Sequence, residues 1–177
     1  MRSQKAPRPG HPKRTTGTAA KPARTQVWVR NETTRAGVPL TVSFERWIDA
    51  ALRVAKRRAR TEVNVLIVGT DRGREFNARF RARDYATNVL SFPYEPMPHE
   101  RTHLIGDLVI CAPVVAREAR EQRKRVSDHY AHMTVHGLLH LIGFDHLDEA
   151  DAEYMEALER RILAKLGILD PYLDCQE

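Results

Sequence analysis

Cysteine is nearly absent: Cys111 and Cys175 are the only two among 177 residues. Cys111 sits in an apolar run and Cys175 near the C-terminal end, so a disulfide framework is not expected and a reducing, intracellular setting fits. Aromatic residues are also few, at 7%. No stretch approaches the roughly 20 apolar residues of a membrane span. The start lacks a charged segment followed by an apolar core, so no secretory signal is read. These absences lead us to expect a soluble, cytoplasmic protein with no membrane partner.

Negative charge is missing from residues 1–31. That stretch holds Arg2, Lys5, Arg8, Lys13, Arg14, Lys21, Arg24 and Arg30 with no Asp or Glu, so the rest of the chain carries a net −2 of the total +6. Proline, threonine and alanine fill the spaces, and no hydrophobic pattern begins before Val27. Residues 1–25 are therefore expected to form a disordered basic arm, with one folded domain over 26–177. The arm can steer the protein toward RNA, or it can be a passive extension. The folded part is polarised as well. Basic residues are in excess from Arg35 to Arg83, and acidic ones dominate from Asp145 onward. A basic half suits a polyanionic substrate, although two solvated helix faces would look the same.

What the chain does contain is HGLLHLIGFDH, with His136, His140 and His146 in one short run. Histidines four apart on a helix share a face, with Cβ atoms about 5–6 Å apart. Gly143 can end that helix in the left-handed conformation and bring His146 back. Three neutral imidazoles with an open position form a catalytic zinc arrangement, so one Zn2+ per chain is expected. The apolar neighbours Val135, Leu138, Leu139, Leu141 and Ile142 place this helix in the interior, so His136 and His140 are expected to be buried. His132 extends the row, but it lies about 12 Å from His140 at 1.5 Å per residue and is not a third ligand. It is read as a residue behind the ligands or on the surface. Asp145 can orient an imidazole or be a solvated carboxylate. The spacing matches the metzincin pattern, but Gly137 stands where those peptidases carry their catalytic glutamate, which weakens a peptidase reading.

Periodicity places strands at Gln26–Asn31, Glu62–Gly69, Asn88–Phe92 and Leu104–Cys111. A helix capped by Thr41 or Ser43 should run to about Arg60, and a short one should follow an Asp71 cap to Arg81. Pro93, Pro96 and Pro98 put a loop at Tyr94–Arg101. Pro113 opens a helix, a second starting near Ser127 or Asp128 carries the histidines, and Asp148–Leu166 is a final amphipathic helix stopped by Gly167. The expected fold is a single α/β sandwich-like domain, with a small sheet covered by helices that concentrate in the C-terminal half, where a helix and turn carry the three-histidine site.

Together with that motif, FNARFRARDYATNVLSFPYE, IGDLVICAPVVAREA and EYMEALERRILAKLGILDPY resemble the YbeY family of bacterial endoribonucleases, from about Val27 onward. The resemblance implies a zinc-dependent, single-strand-directed RNA hydrolase acting in maturation of the 3′ end of small-subunit ribosomal RNA and in ribosome quality control. Its partners would be ribosomal RNA and the small ribosomal subunit, with small-subunit ribosomal proteins as further candidates. It implies His136, His140 and His146 as zinc ligands and a compact, mainly parallel α/β domain. It also implies that Arg81 faces the metal cleft as a catalytic residue, able to hold a phosphate oxygen through its fork. This chain has FRARD where the family often has YRGKD, a change in the loop after Arg81 that leaves the arginine in place. Asp107 and Asp145 are candidate general bases only by proximity to the motifs, and the proton-transfer role stays open. A non-catalytic assembly factor with structural zinc is the competing reading.

Overall fold

Alternation in the strands decides which side of the sheet carries the core. In β2 (Thr61–Val68), Val63, Val65 and Ile67 are buried while Glu62, Asn64 and Leu66 between them are only partly covered. The same parity holds for Val27 of β1 (Thr25–Asn31) and for Leu108 and Ile110 of β4 (Leu104–Cys111). The computed structural model describes residues 25–34, 36–57, 59–145 and 148–173. Among these, the strands form one four-stranded sheet in the order β1-β2-β4-β3. β1, β2 and β4 run parallel, in registers such as Val29↔Val65 and Val65↔Leu108. The edge strand β3 (Val89–Pro93) is antiparallel to β4, with Phe92 opposite Asp107. Pro93 closes β3 from within the strand, where sequence placed it just outside. An edge position tolerates the lost donor.

Helices α1 (Thr41–Val54), α4 (Val126–Leu141) and α5 (Glu149–Lys165) pack Phe44, Ile48, Leu138, Leu139 and Ile162 against the face of Val63, Val65 and Leu108. Helix α3 (Ala112–Glu121) packs beside α4, with Pro113 in its first turn. On the other face, α2 (Thr70–Arg81) covers one end only, where Phe76 joins Leu90, Val109 and Cys111. The expected α/β class, single domain and mainly parallel sheet are all present, with five helices among the described residues.

The helix ends differ from the sequence reading in one consistent way. Thr41, Ser43 and Asp71 do not cap, while α4 starts at Val126, beside the expected Ser127 or Asp128. The N-cap residues are Leu40, Gly69 and Arg125, none with a side-chain cap bond. Asp71 and Asp128 lie instead in the first turn, where a carboxylate favours the helix dipole. Asp148 does cap α5, accepting from the Asp151 amide at 2.8 Å. Helix α1 stops at Val54, not near Arg60. Lys56 turns left-handed, its amide bonds Arg53 O at 3.2 Å, and the Arg57 amide reaches Leu52 O at 2.9 Å. That pair of bonds is a Schellman ending, placed where the apolar face gives way to a run of like charges.

Candidate metal centre

Helix α4 is the spine of the site. Val135, Leu138 and Leu139 anchor it in the core. Gly137 allows it to lie close to the sheet: a Cβ there would meet Leu108 Cδ2 at 2.8 Å and Ser91 Oγ at 3.0 Å. Ser91 also donates to the Gly137 carbonyl at 3.0 Å. The position at which a metzincin peptidase carries glutamate therefore faces the sheet here and has no room for a side chain. At its C-terminal end α4 turns as the sequence suggested. Gly143 has φ +93°, its amide bonds His140 O at 3.0 Å, and the Phe144 amide bonds Leu139 O at 3.0 Å.

His136 and His140 project from α4 into a cleft of about 560 Å³, whose walls include Arg81, Thr87, Asn88, Ser91 and Asp145. The expectation that both imidazoles are buried is corrected. Their side chains are 28% and 19% exposed, because the apolar residues of α4 face the core while this pair faces the opening. Their Nε2 atoms are 3.2 Å apart. Two imidazole nitrogens bound to one tetrahedral zinc at its usual bond lengths are separated by about 3.3 Å.

The other ring nitrogens are held from behind. His136 Nδ1 lies 2.8 Å from Glu159 Oε1. Glu159, on α5, is 1% exposed, and its second oxygen takes His132 Nε2 at 3.0 Å and the Tyr172 hydroxyl. Burial alone would raise the Glu159 pKa. The hydrogen bonds from His132 and His136 outweigh it and hold the carboxyl at about 2. A carboxylate oxygen accepts, so the 2.8 Å contact suits a His136 with hydrogen on Nδ1, which would turn the Nε2 lone pair to the cleft. Burial lowers the His132 pKa despite Glu159, and burial and then Glu159 raise that of Tyr172. His132 thus stands behind the ligand pair. On the His140 side, Asp145 Oδ1 is 3.6 Å from Nδ1, an ion-pair distance, and its side chain is 52% exposed.

Two imidazole Nε2 atoms 3.2 Å apart can share a proton or turn two lone pairs onto one cation, and this donor set suits a divalent metal. Among the described residues no group of three His, Cys, Asp or Glu side chains is placed to hold a metal. His146, read from sequence as the third ligand, lies outside the described residues, as does the basic arm up to Arg24.

Arg81 ends α2 and lines the same cleft as the two histidines. Asp107 does not. It sits on the opposite face of the sheet, accepting from Asn64 Nδ2 at 2.7 Å, in a larger cavity of about 780 Å³ that also includes Trp28, Phe76 and Phe80. Strand parity puts it there, since Leu108 beside it faces α4, and this removes Asp107 as a base for the cleft. Sequence reasoning missed Glu159. Its signal was present: Met155, Leu158, Glu159 and Ile162 share the buried stripe of α5, and a carboxylate in such a stripe needs buried donors. Asn88, from the TNVLSFP segment, donates to Glu118 at 3.1 Å, and Glu118 also bonds His129 Nε2 at 2.8 Å, so α3 and α4 brace the cleft wall.

Residues 29–167 match the family model described as Endoribonuclease YbeY. Proteins named Endoribonuclease YbeY from Stenotrophomonas maltophilia strain K279a and Xanthomonas campestris pv. campestris strain B100 are each 53% identical to this chain, over 155 and 156 residues, covering 85% of it and 95% of each relative. One from Alkalilimnicola ehrlichii is 54% identical over 140 residues, covering 78% of this chain and 84% of that one. The solution structure of TM1509 from Thermotoga maritima has the same fold, with TM-score 0.52 at 23% identity, over 80% of this chain and 92% of the other. A mainly parallel sheet, a histidine pair opening onto a cleft and this degree of identity have one common explanation: the chain belongs to the YbeY family of endoribonucleases.

Proposed function

We propose that this protein is a zinc-dependent endoribonuclease that cleaves single-stranded RNA during maturation of the 3′ end of small-subunit (16S) ribosomal RNA and in ribosome quality control. Its partners are then ribosomal RNA and the assembled small subunit, with small-subunit ribosomal proteins as further contacts, and its place is the cytoplasm. Among the described residues no helix is long and apolar enough to cross a membrane. The observation that carries the reading is the pair of Nε2 atoms, 3.2 Å apart at a cleft that Arg81 also lines.

His136 and His140 hold the metal, with His146 as third ligand. When bound, zinc supplies a water acidified toward neutral pH and an electrophile for a phosphoryl oxygen. The chain's own residues do the rest. Arg81 grips a non-bridging phosphate oxygen and stabilises the charge that builds on it. Glu159 keeps the His136 proton on Nδ1, away from the cleft. Asp145 offers a carboxylate at the cleft rim, beside His140. A peptidase reading is disfavoured by the packing at Gly137, which leaves no space for the glutamate that chemistry uses.

The test is cleavage of precursor RNA in an assembled small subunit, with naked RNA as control, by zinc-loaded protein and by His140→Ala. Cleavage by the first and none by the second is the expected result. Metal analysis of His146→Ala should show strongly reduced zinc. Maturation that proceeds with no cleavage by either protein would leave a non-catalytic assembly factor as the function.

A further inference from the structure

We propose that Glu159 is the positioning residue of the metal centre. It fixes the tautomer of His136 and ties that ligand to the C-terminal segment through Tyr172. The proposal rests on the zinc reading above and deepens it.

Glu159 is charged and 1% exposed, on a helix that shares no sequence motif with the histidines. A buried carboxylate survives only with donors on both oxygens. His136 Nδ1 occupies Oε1 at 2.8 Å, and His132 Nε2, at 3.0 Å, shares Oε2 with the Tyr172 hydroxyl. A carboxylate oxygen is an acceptor, so the ring nitrogen placed against it is the one that carries hydrogen. His136 is therefore fixed with hydrogen on Nδ1 and a lone pair on Nε2, the atom that faces His140 Nε2. The alternative tautomer would put a proton where a metal must bind. The carboxylate also makes the imidazole a more basic ligand, as outer partners of metal-bound histidines do. Tyr172 lies beyond α5, and Arg160 stacks over its ring at 4.9 Å, so the terminal segment is packed onto the same carboxylate. Glu159 thus joins α4, α5 and the C-terminal segment behind the site while standing outside the cleft itself.

The experiment reads two quantities that catalysis does not enter. The first is the His136 tautomer in the full chain stripped of metal, from nitrogen–proton correlation spectra of the imidazoles. The second is zinc affinity by competition with a chromophoric chelator. In the wild type, His136 should be protonated on Nδ1. In Glu159→Ala, hydrogen should appear on Nε2 and zinc should bind roughly 10–100-fold more weakly. Glu159→Gln keeps the packing volume and one acceptor oxygen, so it should fold and fall between the two. Tyr172→Phe leaves the His136 contact intact and should keep the wild-type tautomer. The proposal is overturned if wild-type His136 carries its proton on Nε2, or if Glu159→Ala and Glu159→Gln both bind zinc with wild-type affinity. A wild-type chain that binds no zinc would instead overturn the metal centre itself, and the metal-free tautomer keeps the two failures distinct.

Discussion

At the scale of single residues, the function proposed above divides the cleft between groups that hold and groups that act. Arg81 is the side chain through which a nuclease and a structural zinc protein give different results. It stands at the end of α2, on the cleft wall facing the histidine pair. A donor that stabilises transition-state charge is worth about 2.7–4 kcal/mol, roughly 10²–10³ in rate. Arg81→Ala should therefore fold, keep its zinc and lose kcat by that factor, with KM for RNA changing much less. Arg81→Lys should recover only part of the rate, because an ammonium lacks the two-pronged fork. Single-turnover cleavage of a model RNA measures both. A zinc-loaded Arg81→Ala with near-normal cleavage would take Arg81 out of the site.

At the scale of elements, α4 sets the geometry twice, through two glycines with different physics. Gly137 is a close approach. An added methyl group would press on Leu108 and Ser91, a strain of the overpacking kind worth about 1–3 kcal/mol. Among the described residues nothing lies within contact of a side chain added at Gly143, and its φ of +93° is left-handed. Alanine there costs about 1–2 kcal/mol of backbone energy alone. Asparagine, which tolerates that conformation, should recover much of the loss at 143 and none at 137. Denaturant unfolding of the four variants distinguishes the cases, and equal rescue at both positions would contradict the packing described for α4.

Helix α3 and the β3 approach are joined by Glu118, which accepts from Asn88 and His129. Burial pushes its pKa up, but the hydrogen bonds from His129 and Asn88 outweigh this and leave it below the usual 4.5. A carboxyl depressed in the folded state contributes stability that is present above that usual value and is lost as pH falls through the lower, folded one. Glu118→Gln should therefore flatten part of the acid limb of the stability profile below about pH 4.5, and urea titrations from pH 7 downward would show it. An unchanged acid slope would mean that the pair adds nothing to folding.

This scale also shows what sequence could reveal. Elements with a strong period, such as Val63–Ile67 of β2 or Phe44–Leu52 of α1, could be read because one face of each carries the core. Their ends were less legible. Leu40, Gly69 and Arg125 start helices without side-chain caps, so tertiary packing sets the start and no polar residue signals it. The two α4 histidines and the turn at Gly143 followed from spacing. Asp107 is a candidate base only by its proximity to the motifs along the chain, and strand parity, which sends alternate residues to opposite faces, places it away from the cleft. Glu159 was missed because its partners lie 23 and 27 residues away, on another helix.

At the scale of the whole molecule, charge is distributed unequally along the chain. The eight basic residues before Glu32 face no acidic residue in their own stretch, and the rest of the chain is net negative. Phosphate contacts by such a segment release counterions, so its contribution to RNA affinity should fall steeply with salt, while chemistry at the cleft should not depend on it. A chain beginning at Thr25 loses seven of those eight charges and keeps every residue placed at the cleft. It should bind RNA more weakly, with a shallower slope of log affinity against log salt, and turn over at the full rate once RNA is saturating. Parallel binding isotherms at several salt concentrations and saturating kinetics on the same RNA separate the two effects. Equal salt slopes for both chains would make the arm a passive extension. A fall in turnover at saturation would instead bring the arm into the active site, and the division between a steering segment and a catalytic domain would have to be redrawn.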